Sequence, residues 1–331
     1  MLYPLTFHPI FKERIWGGRK LEQRYRKPLP PNVPIGESWE LSDRPGDVSV
    51  IANGPLAGKD LRWLMENHAT KLLGDNQPAN GRFPLLLKIL DAQEKLSVQV
   101  HPPAHKAAEL GGEPKTEMWY VAEAGRGAEL YVGLKKGVTR TEFEERIRSG
   151  KAAECLHRVP VKAGDTMFLP SGRVHAIGAG IVLFEIQQNS DTTYRVYDWD
   201  RGGLDGKPRP LHVSESLASI NFDDFEPSLV DTRPGEKTAR RIKSLVKDER
   251  FSVGIITFPL ARSGMTETLS FPKGMLRVIG LLSGEAAIRH GKISVTLKPG
   301  NFCLLPAALD RPEIRFARGS KALIIAPGLR K

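Results

Sequence analysis

The sequence has little cysteine and no long apolar run, and both absences restrict the class of protein. Only two cysteines, Cys155 and Cys303, occur in 331 residues, in unrelated contexts. They form neither a disulfide framework nor a zinc knuckle, so we expect a reducing, cytoplasmic setting. No stretch of about 18 apolar residues is present, and Met1–Gly18 lacks a basic segment followed by a long apolar one. We therefore expect neither a membrane span nor a secretory signal.

Signs of disorder and of charge segregation are also missing. Hydrophobic residues make up 40% of the chain and charged residues 26%, which is enough for a packed core. At about 100–200 residues per domain, the length predicts two domains or one large domain with insertions. The net charge is +11, but Lys and Arg are scattered among acids, and the longest basic excess is the short stretch Lys237–Lys243. A solvated basic surface explains this charge, and we expect no nucleic-acid partner.

The pattern of apolar residues predicts few helices and many short strands. Helical spacing occurs in Lys59–Leu73, Thr139–His157 and Leu211–Ile220. In the second segment, Thr141 and Glu144 have the spacing of a capping box. Strand-like runs between Gly, Pro, Asn and Asp are Phe83–Leu90, Leu96–Val100, Met118–Ala122, Leu130–Val132, Thr166–Leu169, Ile181–Gln187, Val253–Phe258, Arg277–Leu282, Glu285–Arg289 and Ile293–Leu297. This pattern favours a sandwich, barrel or jelly roll over a doubly wound α/β fold.

An internal repeat predicts two copies of one β module. Lys162–Pro170 and Lys298–Pro306 share the pattern K-x-G-[DN]-x-x-x-L-P. In both, a turn at glycine leads into a buried strand that ends at proline. The first copy carries His175 where the second carries Arg311. We therefore expect the chemistry of His175 in the first module alone.

Polar side chains recur on three strand-like segments that could meet at one site. They are Ser97, Gln99 and His101 on Leu96–Pro102, Lys115 and Glu117 on Lys115–Tyr120, and His175 on Leu169–Gly178. Period-two spacing puts the polar residues of a strand on one face, which is costly unless that face is wet or coordinates something. Two imidazoles, one carboxylate and one amide oxygen suit zinc, iron or manganese. Simpler roles stay open: hydrogen-bonded core histidines, and a salt bridge between Lys115 and Glu117.

Longer motifs around these residues resemble the cupins. Gly164–His175 fits the second cupin motif, G-x5-P-x-G-x2-H, although Ala179 stands where that motif ends in Asn. Gln99 replaces the first histidine of the first motif, H-x-H, and the segment before Glu117 is lengthened. The segments that resemble zinc-dependent type I phosphomannose isomerases, in their short bacterial form, are Arg14–Gly18, Gly36–Glu40, LSVQVHP, KTEMWY, LPSGRVHAIGAG and FEIQQNSDTTYRVYDWDR. The resemblance extends to about Phe225, and a degenerate cupin follows.

This resemblance implies a mainly β fold of two cupin, or jelly-roll, β-barrel modules with a few helical insertions. With the repeat, it predicts an N-terminal metal-bearing domain over residues 1–230, which includes the three helical segments. A degenerate C-terminal domain is predicted over residues 238–331. The segment Asn221–Lys237, rich in Asp, Glu and Pro, is the candidate linker.

The resemblance also implies an activity, the interconversion of mannose 6-phosphate and fructose 6-phosphate through a cis-enediol. It implies one zinc ion per chain, with other divalent metals open, and the ligands Gln99, His101, Glu117 and His175. The implied catalytic residues are Arg195, Glu185 and Lys115, and the implied substrate-binding residues are Ser97, Lys88 and Trp16. The group that moves the proton stays open between Glu185 and a water or histidine at the metal.

Two other functions stay open at this stage. One is a different metal-dependent cupin enzyme such as an iron dioxygenase, which Gln99 and the phosphate-compatible lysines disfavour. The other is a non-catalytic cupin that binds sugar phosphates. Against it, none of the catalytic residues that the resemblance implies is visibly replaced in the sequence. We expect a small phosphorylated sugar as the partner, no membrane, and a monomer or weak homo-oligomer.

Overall fold

The chain is built mainly from β-strands, as predicted. The computed structural model describes residues 1–74, 78, 80–231, 242–258, 267–269, 271 and 273–328. The strands of the first part are β1 (Ile10–Gly18), β2 (Ile35–Leu41), β3 (Asp43–Arg44), β4 (Asp47–Val48), β5 (Leu85–Ala92), β6 (Val98–Val100), β7 (Glu117–Ala124), β8 (Glu129–Leu134), β9 (Leu156–Pro160), β10 (Thr166–Leu169), β11 (His175–Ile177), β12 (Ile181–Gln188) and β13 (Tyr194–Tyr197). Those of the second part are β14 (Ile242–Lys247), β15 (Phe251–Thr257), β16 (Glu267–Leu269), β17 (Arg277–Ser283), β18 (Ala286–His290), β19 (Ile293–Leu297), β20 (Phe302–Leu305), β21 (Glu313–Phe316) and β22 (Lys321–Pro327).

Short helices interrupt the strands. They are α1 (Lys20–Tyr25), α2 (Leu61–Leu73), α3 (Ala104–Ala107), α4 (Arg140–Arg148) and α5 (Val213–Ser219), with 3₁₀ turns at Gly54–Leu56 and Ala152–Cys155. Helices α2 and α5 lie inside predicted helical segments, but the helix predicted over Thr139–His157 is too long, because α4 ends near Gly150, whose φ is 70°. The capping box predicted at Thr141 is also wrong, since the Thr139 side chain accepts the helix-capping bond. No helix among the described residues is long and apolar enough to cross a bilayer.

The strands form four main antiparallel sheets rather than one closed barrel. We call them the front sheet (β13-β6-β11-β8-β9), the central sheet (β1-β2-β5-β12-β7-β10), the rear sheet (β14-β15-β22-β17-β20) and the outer sheet (β16-β21-β18-β19). Trp119 and Leu183 of the central sheet share a core with the front sheet. Met118 and Phe184, one position along the same strands, share a core with Phe251 of the rear sheet. Both faces of the central sheet are therefore covered, which explains why strand β5 is buried along its whole length.

The sheet orders support the repeat seen in the sequence. The order β2-β5-β12-β7-β10 in the central sheet matches β14-β15-β22-β17-β20 in the rear sheet. The turns before the two edge strands β10 and β20 are built alike: the Asp165 carboxylate accepts from the Lys162 amide at 2.8 Å, and the Asn301 side chain accepts from the Lys298 amide at 2.9 Å. The division at residues 230 and 238 stays a prediction, because 232–241 lie outside the described residues.

The described half of the candidate linker is attached to the first part of the chain. The Asp224 carboxylate accepts two hydrogen bonds of 2.7 Å from the Arg173 guanidinium. The Val230 amide donates to the Thr166 carbonyl of β10 at 2.8 Å. The stretch from Asn221 to Asp231 is thus part of the fold around the front and central sheets, not a free connection.

Candidate metal centre and adjoining cleft

Three predicted metal ligands meet between the front and central sheets. His101 follows strand β6, Glu117 begins β7 and His175 begins β11. Their ligand atoms all lie within 4.8 Å of one another, with His101 Nε2 3.5 Å from Glu117 Oε2 and His175 Nε2 3.4 Å from Glu117 Oε1. Strand pairing sets His175 opposite Gln99, whose amide nitrogen lies 3.4 Å from His175 Nε2. The structure therefore brings His101, Glu117 and His175 to one buried point, with the half-buried Gln99 beside His175.

Backbone carbonyls orient both imidazoles. His101 Nδ1 lies 2.8 Å from the Thr192 carbonyl, and His175 Nδ1 lies 2.9 Å from the Arg173 carbonyl. Because a carbonyl only accepts hydrogen bonds, each Nδ1 carries the proton and each Nε2 keeps its lone pair. Burial lowers the pKa of His101 to about 3 and also lowers the pKa of His175. Both rings are neutral at pH 7, which is the state that binds metal.

Buried polar atoms without partners show that the cluster fits a cation. Among the described residues, His101 Nε2 and both carboxylate oxygens of Glu117 have no hydrogen-bond partner. Lys115 Nζ lies 2.7 Å from Glu117 Oε2, but outside hydrogen-bond geometry. Burial raises the pKa of Glu117, yet the positive charge of Lys115 opposes it, and that pKa lies well below its usual range. Two neutral imidazoles and a carboxylate with free lone pairs suit a divalent metal.

A cleft of about 550 Å³ adjoins this cluster. Its lining includes every residue predicted to be catalytic or to bind substrate: Trp16, Lys88, Ser97, Lys115, Glu185 and Arg195, together with Gln99. The central sheet supplies Lys88 and Glu185, and the front sheet supplies Gln99 and Arg195. The space between two sheets of one sandwich thus holds both the candidate metal ligands and the candidate substrate contacts.

Strand register places Glu185 between two lysines. Across the central sheet, Trp39, Lys88, Glu185 and Trp119 lie side by side on four neighbouring strands. Lys88 Nζ lies 3.3 Å and Lys115 Nζ 3.9 Å from Glu185 Oε1, while the Trp119 indole donates to Glu185 Oε2 at 3.0 Å. Burial raises the pKa of Glu185 although both lysines oppose it. A carboxyl with a raised pKa can accept and return a proton near neutral pH.

Arg195 lines the cleft, and only part of its guanidinium is hydrogen-bonded among the described residues. It lies opposite Gln99 in the front sheet, and its backbone amide donates to His212 Nδ1 at 3.2 Å. One terminal nitrogen donates to the Pro210 carbonyl at 2.7 Å, but Nε is buried and has no partner among the described residues. Burial, and then the nearby Arg209, lower the pKa of Arg195. An arginine stays charged even so, and an anionic ligand would satisfy the free donor.

The cleft also contains charged residues to which the sequence assigned no role. Glu37 accepts from Arg14 Nε at 2.7 Å and from the Trp39 indole at 2.6 Å. Arg209 donates two hydrogen bonds of 2.6 Å to Asp198. Arg14, Glu37 and Arg209 all line the cleft. In the sequence, Glu37 lies in the Gly36–Glu40 segment that carries the resemblance, and its period-two spacing with Trp39 places both side chains on one face of β2.

Comparison with known proteins identifies relatives over nearly the whole chain. Residues 5–143 match the family model described as phosphomannose isomerase type I, catalytic domain. The mannose-6-phosphate isomerase ManA of Bacillus subtilis is 39% identical over 311 residues, which is 92% of this chain and 94% of that protein. The mannose-6-phosphate isomerase of Streptococcus mutans is 36% identical over 92% of this chain and 93% of that protein. The crystal structure of the mannose 6-phosphate isomerase from Bacillus subtilis matches with a TM-score of 0.85 and 31% identity, over 98% of this chain and 99% of that one.

Proposed function

Because the chain belongs to the type I phosphomannose isomerases, we propose that its cleft interconverts mannose 6-phosphate and fructose 6-phosphate with the residues described above. The observation that carries this assignment is the buried His101–Glu117–His175 cluster. It lies beside a cleft whose lining includes Gln99, Lys115, Glu185 and Arg195. The relatives are isomerases by name, so neither the dioxygenase nor the non-catalytic alternative is retained.

Zinc is the metal we propose for the cluster, one ion per chain. His101 and His175 would supply Nε2, Glu117 a carboxylate oxygen and Gln99 its amide oxygen, a set of nitrogen and oxygen ligands that zinc accepts. When bound, such an ion stabilises negative charge that develops on substrate oxygens. The carbonyl bonds at both Nδ1 atoms support this assignment, because they point the free lone pairs at one centre.

Glu185 is the group that we propose moves the proton. The reaction takes a proton from C2 of the open-chain aldose and returns it to C1. Trp119 holds Oε2 of Glu185 by a hydrogen bond, so the proton would be carried at Oε1. The cations of Arg195 and Lys115 would stabilise the negative charge that grows on O1 and O2 as the proton leaves.

The remaining cleft residues would bind the sugar phosphate. Lys88 and Ser97 are buried polar groups on the cleft, suited to phosphate oxygens as cation and hydroxyl donors. Trp16, with Leu90 and Leu96 beside it in the same core, forms an apolar wall against which a sugar ring can pack. We propose a monomer or weak homo-oligomer in a reducing cytoplasm, where the buried free thiols of Cys155 and Cys303 persist.

A coupled assay of mannose 6-phosphate tests this function. The metal-loaded protein should form fructose 6-phosphate, a chelator should abolish turnover, and added zinc should restore it. His175→Ala should lose bound metal by elemental analysis and lower kcat by at least about a hundredfold. His290→Ala, in the outer sheet, is the control and should keep both metal and turnover. Full turnover by metal-free His175→Ala would refute the ligand assignment.

A further inference from the structure

The Lys88 ammonium is held between two carboxylates without a short bond to either. Its Nζ lies 3.3 Å from Glu185 Oε1, 3.7 Å from Glu37 Oε2 and 4.8 Å from the centre of the Trp39 ring. Ammonium–carboxylate hydrogen bonds are typically about 2.7–2.9 Å long. Lys88 is 6% exposed, so water does not screen these contacts effectively.

Glu37 is fixed in place more firmly than Lys88. Arg14 Nε donates to Oε1 at 2.7 Å, and the Trp39 indole donates to Oε2 at 2.6 Å. Although burial opposes ionisation, the charges of Lys88 and Arg14 lower the pKa of Glu37 to about 2. Glu37 is therefore a permanent negative charge at a fixed distance from Lys88.

The second lysine of the cleft also lies between two carboxylates, but it is close to one of them. Lys115 Nζ lies 2.7 Å from Glu117 Oε2 and 3.9 Å from Glu185 Oε1. Each lysine that faces Glu185 thus has a second carboxylate beside it. Lys115 lies closer to Glu117 than to Glu185. Lys88, by contrast, is shared between Glu37 and Glu185 and lies slightly closer to Glu185. Glu185 has two cations nearby, and the Trp119 indole donates a hydrogen bond to its side chain.

We propose that Glu37 is a positioning residue for the isomerisation, which holds the Lys88 ammonium away from Glu185 so that Glu185 stays free to take up and return the proton. The inference rests on the proposed role of Glu185. Without the charge of Glu37, Lys88 would have one carboxylate partner left and would close onto Glu185 in a short charge-assisted bond. A carboxylate committed to such a bond is a weaker base.

Glu37→Gln tests the proposal, because it removes the charge and keeps the shape. We expect kcat to fall by about tenfold because proton transfer is impaired. KM should rise as well, because the Lys88 ammonium that moves onto Glu185 is also the proposed phosphate ligand. Glu37→Asp keeps the charge and should retain kcat within about threefold. The matched control is Glu40→Gln, on the same strand but on its other face, where Glu40 pairs with buried Lys27 at 2.7 Å. That control should leave kcat unchanged within about twofold, whatever its effect on Tm.

A double-mutant cycle with Lys88→Met shows whether Glu37 acts through Lys88. In the Lys88→Met background, Glu37→Gln should change kcat by less than about twofold, because the ammonium that it positions is gone. A tenfold loss in both backgrounds would overturn the proposal and assign the effect to Arg14 or to the fold.

A crystal structure of Glu37→Gln gives a readout that does not depend on turnover. Lys88 Nζ should lie within about 3 Å of a Glu185 oxygen. If Lys88 has not moved, this inference fails while the proposed function stands. If the parent protein does not isomerise mannose 6-phosphate, the proposed function fails instead.

Discussion

The histidines of the metal centre make the metal-free protein sensitive to acid. In the folded chain the pKa of His101 is lowered from 6.5 to about 3, first by burial and then by the charge of Lys115. Between these pH values the unfolded chain binds a proton that the folded chain does not. The free energy of unfolding therefore falls as the pH drops below 6.5, by up to about 1.4 kcal/mol per pH unit for one histidine.

Urea unfolding of chelated protein at several values between about pH 7 and pH 5 measures this effect. We expect stability to decrease steadily over that range, and we expect His101→Gln to show a shallower decrease because its side chain does not titrate. Equal slopes for the parent and the variant would contradict a neutral, buried His101.

Single residues of the site differ in how far the sequence predicts them. Strand periodicity and the cupin motif point to His101 and His175, and the structure brings them together with Glu117. The role of Glu37 is not predictable in this way, because its contact with Lys88 depends on strand β2 lying beside strand β5. A pairing between distant segments leaves no local spacing to detect. The catalytic and binding roles of Lys88 and the other cleft residues stay predictions.

At the scale of single elements, helix α4 shows how a local rule can select the wrong residue. Thr139 and Glu142 have the same spacing as Thr141 and Glu144. The structure uses Thr139, which has an extended backbone and whose hydroxyl accepts from the Glu142 amide at 3.2 Å. Sequence spacing alone does not distinguish the two, because the deciding factor is where the chain leaves β8 and turns at Gly137.

This difference predicts unequal effects of two similar substitutions. Thr139→Ala removes the N-cap and should lower the free energy of unfolding by about 1 kcal/mol. Thr141 is exposed on the first turn of the helix. Thr141→Ala should therefore change the free energy of unfolding by less than about 0.5 kcal/mol. Urea denaturation of the two variants measures both values. The opposite ranking would restore the cap predicted from sequence.

The sequence pattern does not predict strand β2, and the reason lies in its buried charges. In β2, Glu37 faces the cleft and Glu40 faces the other way, where it pairs with Lys27. Polar residues thus occupy both faces, and the alternation of apolar and polar residues that marks a half-buried strand disappears. The continuous apolar run of β5, by contrast, was identified within two residues at each end.

For the whole molecule, the repeat predicts which half binds metal. Glu117 of β7 pairs with Leu169, and in the second half Arg277 of β17 pairs with Leu305 at the corresponding position of the repeat. A guanidinium therefore stands where the first half has Glu117, the proposed carboxylate ligand. Arg311, where the first half has His175, is exposed.

Introducing a histidine at position 311 should not create a second metal site. Arg311→His should bind the same one equivalent of metal as the parent protein, because the positive charge of Arg277 still opposes a cation. Elemental analysis of both proteins after zinc loading and desalting measures this. Two equivalents in the variant would show that the second half retains a latent site.

The covered rear face of the central sheet makes the second half of the chain a structural support for the cleft. Residues such as Phe251 and Leu323 lie behind the wall that carries Lys88 and Glu185. These residues support the central sheet from behind, a role that requires apolar side chains of suitable shape but no particular functional group. Substitutions at positions of the second half that correspond to the proposed ligands of the first should therefore be tolerated, provided that the surface packed against the first half keeps its shape.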